Sequence, residues 1–202
     1  MTSRAMTESE WNDCADAGAM IDYLWSQRGI TSHALEMRIG GELEVSIASE
    51  SPHAGLETAL HRFYLASCRR IFALLPETGS RGGVEMGEKF LAGETSADDV
   101  KRFTWHTEAA AFEFDYNLHP NHTAPLIAAV REMPKPELRL LLNPPEAADE
   151  VEPRDLLKRA AYFADYAMIY SSLTPKGPPP NSYRIFLSAD LLRQHVSRPS
   201  HE

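Results

Sequence analysis

Cysteine is scarce in this chain. Cys14 and Cys68 are the only two in 202 residues, they lie far apart, and they make no CxxC pair, which argues against a zinc knuckle or a dithiol motif. Both read as buried, reduced thiols, with Cys68 a small core residue rather than a nucleophile. Basic residues are few as well: Lys plus Arg number 20 against 29 for Asp plus Glu, a net charge of −9. That balance lacks the basic footprint needed to track a phosphate backbone, so no nucleic acid is expected as a partner. No apolar run approaches the ~20 residues of a membrane span, and the opening MTSRAMTESEW has no apolar signal segment. The expectation is a cytoplasmic protein without a membrane partner. Motifs of the GxSxG, P-loop and dinucleotide types are missing too. Gly82-Gly83 is no phosphate cradle by itself, and no cofactor is expected.

What is present is an ordinary core-forming composition, 43% apolar and 24% charged. A chain of this length suits a single domain over 1–202. Its helix signals are local. Thr7 and Glu10 have capping-box spacing, as do Ser96 and Asp99, and Asp16 can cap a stretch carrying Met20, Ile21, Leu24 and Trp25. Ser80 is placed to cap a helix that runs to Gly93. Pro153 suits the first position of another helix, and Ser188 to Val196 reads as a short last one.

The run Leu56 to Leu75 presents Leu56, Leu60, Phe63, Ser67, Ile71 and Leu74 on one side, with Leu65 and Phe72 opposite. A helix apolar on both sides must be covered on both, which makes it central. From Ala97 to Tyr116, Val100, Phe103, Thr107, Ala110 and Phe114 form one stripe, and Trp105, Ala109, Phe112 and Tyr116 a second facing away. This helix too is expected to be largely enclosed. One more helix is expected from Thr123 to Glu132. Around Gly40-Gly41 the period changes to two, which predicts a small inserted β-hairpin at about 35–47, the alternatives being an irregular loop or a further short helix. The proline-bearing segments 133–152 and 174–182 read as connectors. The fold class is therefore all-α, a compact multi-helix domain packed around helices 56–75 and 97–116.

Four blocks carry a resemblance. MTESEWNDCADAGAMIDYL is similar to MTEAEWLACTDPxxMLEFL, HRFYLASCRRIFALL to RLFACACCRRIWxLL, SRGGVEMGEKFLAGETSADDV to SRRAVEVAERFADGxATxEEL, and SADLLRQHVSRP to AxLLRDIFGNPFRP. The set, in this order, resembles a large uncharacterised bacterial family. Its members are often longer, with this unit at the N-terminus. The resemblance implies a helical architecture and transfers no activity. Leu65 and Ser67 stand where the family often has cysteine, which weakens a metal or redox reading of Cys68. Residues 28–55 look like an insertion.

Two constellations carry candidate chemistry. Arg70 falls beside the apolar stripe of its helix, and a guanidinium carried toward a core must find a carboxylate or carbonyls. Glu85 and Glu88 are the expected partners in an inter-helix salt bridge, the alternative being a small-anion site built on Arg70. The second set is His106, Glu108, Asp115, His119 and His122, whose residue types suit a divalent metal. Its spacing is poor, because His106 and Glu108 are two apart on a helix and point in different directions. The leading expectation is a non-catalytic module that binds another protein or a second copy of itself. The alternatives are a metal-dependent hydrolase using the histidine and carboxylate cluster at 106–122, and the Arg70 anion binder. A binding module predicts an exposed apolar patch.

Overall fold

The computed structural model describes residues 6–27, 54–169 and 178–198. The hairpin at 35–47, nearly all of the 28–55 insertion and residues 170–177 lie outside them. Among the described residues the fold is all-α. Ten α-helices follow in order: α1 Glu8–Asp13, α2 Ala17–Gln27, α3 Ala54–Arg70, α4 Gly82–Leu91, α5 Ala97–Tyr116, α6 Pro120–Glu132, α7 Lys135–Leu141, α8 Ala147–Glu150, α9 Pro153–Ile169 and α10 Ala189–His195. No described helix is long and apolar enough to cross a membrane.

The local start signals act as their chemistry requires. Thr7 Oγ1 accepts from Glu10 N at 3.2 Å while Glu10 Oε2 accepts from Thr7 N at 2.7 Å, closing both halves of the capping box. Ser96 and Asp99 do the same for α5. Asp16 Oδ1 accepts from Gly18 N and Ala19 N at 2.8 and 3.2 Å, and Ser188 caps α10 through Leu191 N. Ser80 does not cap α4. It is buried in a π-helical turn, Glu77–Arg81, and Arg81 takes the cap position without a side-chain bond.

The helix expected over 56–75 ends earlier, at Arg70, and continues as a 3-10 turn, Phe72–Leu74. Its Leu60, Phe63, Tyr64, Leu65, Ser67, Cys68 and Ile71 are all buried. The hub, however, is α9, which packs on α3, α4, α5 and α6 and on the 3-10 helix Asn181–Phe186. Leu156, Leu157, Ala160, Ala161, Phe163, Ala164, Ala167 and Met168 are closed off from solvent. The alanines let neighbours approach on several sides, while Phe163 stacks on Phe186 (centroids 5.6 Å apart) and meets Tyr64 edge-on.

The segment 133–152 is not mainly a connector. It holds α7 and α8, and Leu138, Leu142, Ala147 and Ala148 are buried. Pro136 stands in the first turn of α7, where a missing N–H costs no helical hydrogen bond. Asn143 then ties the segment to the 3-10 helix, its backbone N donating to Ile185 O at 2.7 Å and its amide to Leu187 O at 2.9 Å. Likewise α6 begins three residues before the predicted Thr123, with Pro120 as its first residue.

Candidate functional site

The outer face of α5 is where expectation and structure part most clearly. Its inner stripe is closed at Val100, Thr107, Ala110 and Phe114, which are buried under α4 and α9, while Phe103 of the same stripe is half-buried. The second stripe is not enclosed. Trp105 is 78% exposed and Tyr116 69%, Ala109 is exposed, and Phe112 is half-buried. Periodicity marks both faces as apolar but cannot say whether a neighbour exists for each. Phe112 meets Tyr116 and Tyr162 edge-on, with centroids 5.8 and 6.3 Å apart, so the C-terminal part of the ridge is an aromatic cluster, and Trp105 stands two turns before it. Asp98, Lys101 and Arg102 line an open depression with Trp105 at its N-terminal end.

The ridge runs to the corner where α5 gives way to α6. Asn117 sits there with φ 51°, the left-handed conformation that ends a helix and reverses the chain. The reversal carries α6 back so that His119 and His122 meet Glu113 in the last turn of α5. Both Nδ1 atoms lie 3.6 Å from Glu113 Oε1. The two imidazoles stack with centroids 5.1 Å apart and planes at 23°. Of the expected constellation, then, His119 and His122 come together, and the carboxylate that joins them is Glu113.

The remaining members do not join. His106 lies against the Phe103 ring (centroids 5.1 Å apart), with its carbonyl over Gly79, where an added Cβ would sit 2.3 Å from the oxygen. Glu108 is outside the group of three. Asp115 is held by the Lys158 ammonium and the Tyr162 hydroxyl, and these, Lys158 foremost, keep its carboxyl below the usual range. Glu113 follows Ala109 by four residues, so it flanks the ridge on the α5 wheel. The one sequence signal for its role was Asn117, a residue type that tolerates the left-handed turn and so places the last turn of α5 opposite the next helix start.

Arg70 points elsewhere than predicted. Its Nη2 donates to Leu141 O at 2.8 Å and Phe186 O at 3.5 Å, which ties α3 to the end of α7 and to the 3-10 helix. Burial lowers its pKa. Glu88, one expected partner, is taken by Arg69 in a two-pronged pair at 2.8 and 2.6 Å. Glu85 lies with that pair at an open surface depression. Helical phase explains the swap: Arg69 and Arg70 differ by about 100°, so only one can face α4. Cys68 is fully buried, and burial pushes its thiol far above the ordinary range. Cys14, predicted buried, is half-exposed.

No protein-family model, curated protein or solved structure matches the chain.

Proposed function

We propose that this chain is a non-catalytic helical module that works in the cytoplasm by binding another protein, and that the aromatic ridge of α5 receives an amphipathic helix of that partner. The observation that carries this reading is the exposure of Trp105 and Tyr116 in one line with Ala109 and Phe112. Their steps of four, three and four are those of a helix seam, and helix-on-helix recognition uses such anchors. Large aromatic rings left in water across one face favour a partner that removes them. At 150–250 Å² per ring, the exposed part of the ridge comes to ~400 Å², so a partner must add contacts beyond the ridge to reach the ~1,200 Å² of a stable pair.

The net charge of −9 gives this module no attraction for nucleic acid. The similarity of HRFYLASCRRIFALL and its companion blocks to the uncharacterised bacterial family is part of the same proposal: the unit would serve as a docking domain in longer members.

Quantitative co-purification tests the reading. Proteins retained by the wild-type chain are compared with those retained by the Trp105→Glu/Tyr116→Glu variant and by an Arg131→Glu control on the exposed side of α6. One partner present in comparable amount, depleted at least tenfold in the ridge variant and kept in the control, is expected. Identical partner sets for all three would sink the proposal.

A further inference from the structure

We propose that Glu113, His119 and His122 form a binding site for a divalent transition-metal ion such as zinc at the corner between α5 and α6. The three residues each offer a ligand atom, and these atoms lie within 4.8 Å of one another. A tetrahedral zinc with bonds of about 2.0–2.1 Å to nitrogen and oxygen sets its ligand atoms about 3.4 Å apart. Two of the three separations, Nδ1 to Oε1 at 3.6 Å, are close to that value, and side-chain rotation must draw the third pair, the two imidazole nitrogens, into range around a central ion. The rings stack with planes 23° apart and turn the same nitrogen toward the same carboxylate oxygen. A dication placed between them would satisfy the carboxylate and both ring nitrogens together. Imidazole with carboxylate is a donor set suited to zinc and its first-row neighbours.

The backbone supports the same placement. Asn117 in its left-handed turn sets the spacing between the helices; Glu113 lies in the last turn of α5, where cations are favoured, and the histidines at the start of α6, where they are not, so the helix dipoles largely offset and the donor set carries the site. His119 and His122 are mostly exposed, with side chains 59% and 66% accessible, whereas Glu113 is at 24%. The site therefore opens to solvent on one side, and three protein ligands leave a coordination position for water or for a donor from outside the chain. This site stands apart from the partner-binding proposal, and neither depends on the other.

The test is calorimetric titration of zinc into the chelator-stripped full chain at neutral pH. The variants are Glu113→Gln, His122→Ala and, as a control, His106→Ala, with circular dichroism to verify folding. The expected result is one equivalent taken up, an affinity reduced at least tenfold by Glu113→Gln and by His122→Ala and unchanged by His106→Ala, and NMR shifts of the Nδ1 resonances of His119 and His122 on loading. Any of three results overturns the proposal: no uptake at millimolar zinc, uptake that survives both ligand variants, or equal loss in His106→Ala.

Discussion

His61 is a residue the sequence pattern leaves unmarked, yet it governs how the fold responds to acid. It is buried where α3, α4 and α9 meet, against the Phe90 ring and beside Gly87, and it bonds to the backbone of Ala167. Burial outweighs that bond and lowers its pKa from the ordinary 6.5 to about 4. Between those values the unfolded chain binds the proton and the folded chain does not, so stability rises with pH. The contribution is complete above the ordinary value and is lost as pH falls toward the folded one. At 1.36 kcal/mol per pKa unit it amounts to about 3 kcal/mol. Urea midpoints of wild type should fall steeply from neutral pH to pH about 4.5, and those of His61→Gln less so; parallel curves would contradict this account. Arg70 makes a second residue-scale claim. Arg70→Ala removes the donor to Leu141 O and Phe186 O and should cost about 1–3 kcal/mol of unfolding free energy. An unchanged urea midpoint would show that the contact adds nothing.

At the scale of elements, arginines close the ends that capping motifs leave open. Arg154 donates to Phe114 O near the end of α5 at 3.2 and 2.8 Å, Arg81 to Leu75 O at 3.0 Å, and Arg193 to Trp11 O and Cys14 O at the exit of α1. Helix C-terminal carbonyls lack partners within the helix and carry partial negative charge, so a cationic donor suits them. Glycine does the complementary work of bringing helices close. A Cβ at Gly83 of α4 would stand 2.3 Å from Thr107 Cγ2 on α5, whereas one at Gly55 would meet nothing within 4 Å among the described residues. Alanine is favoured over glycine in a helix by about 0.8–1 kcal/mol, and overpacking costs about 1–3 kcal/mol. Gly55→Ala should therefore raise the melting temperature by a few degrees and Gly83→Ala lower it, in scanning calorimetry. The same sign for both would contradict the close approach of α4 and α5. Ser80 aside, which is drawn into the π-helical turn, the caps at Thr7, Asp16, Ser96 and Ser188 were legible in the sequence because they act within four residues. The helices inside 133–152 were not, because Pro134 and Pro136 look like interruptions until Leu138 and Leu142 are seen packed in the core.

For the whole molecule, the question is which apolar faces find a neighbour. Helical periodicity identified Leu60, Phe63, Leu65 and Ser67 in α3 and Val100, Thr107, Ala110 and Phe114 in α5 as buried, but left His61 and Tyr64 unmarked. It put the centre at 56–75 and 97–116, whereas the structure puts it at α9, where Ala160 and Ala167 share an apolar stripe with Leu156 and Phe163 but Ala161 and Ala164, off that stripe, are buried as well. The same limitation applied to the second stripe of α5, read as core and found in solvent at Trp105 and Tyr116. The candidate metal site was half legible: His119 and His122 stood out, but Glu113 is brought to them only by the chain reversal at Asn117. The central claim is that the exposed ridge is a docking face for a helix of another protein. Photocross-linking from a benzoylphenylalanine placed at Ala109, in cells, tests it most directly. The account predicts an adduct to the apolar face of a helix in one other protein, abolished by Trp105→Glu. An adduct to a second copy, to residues 28–53 of the same chain, or to nothing would contradict it.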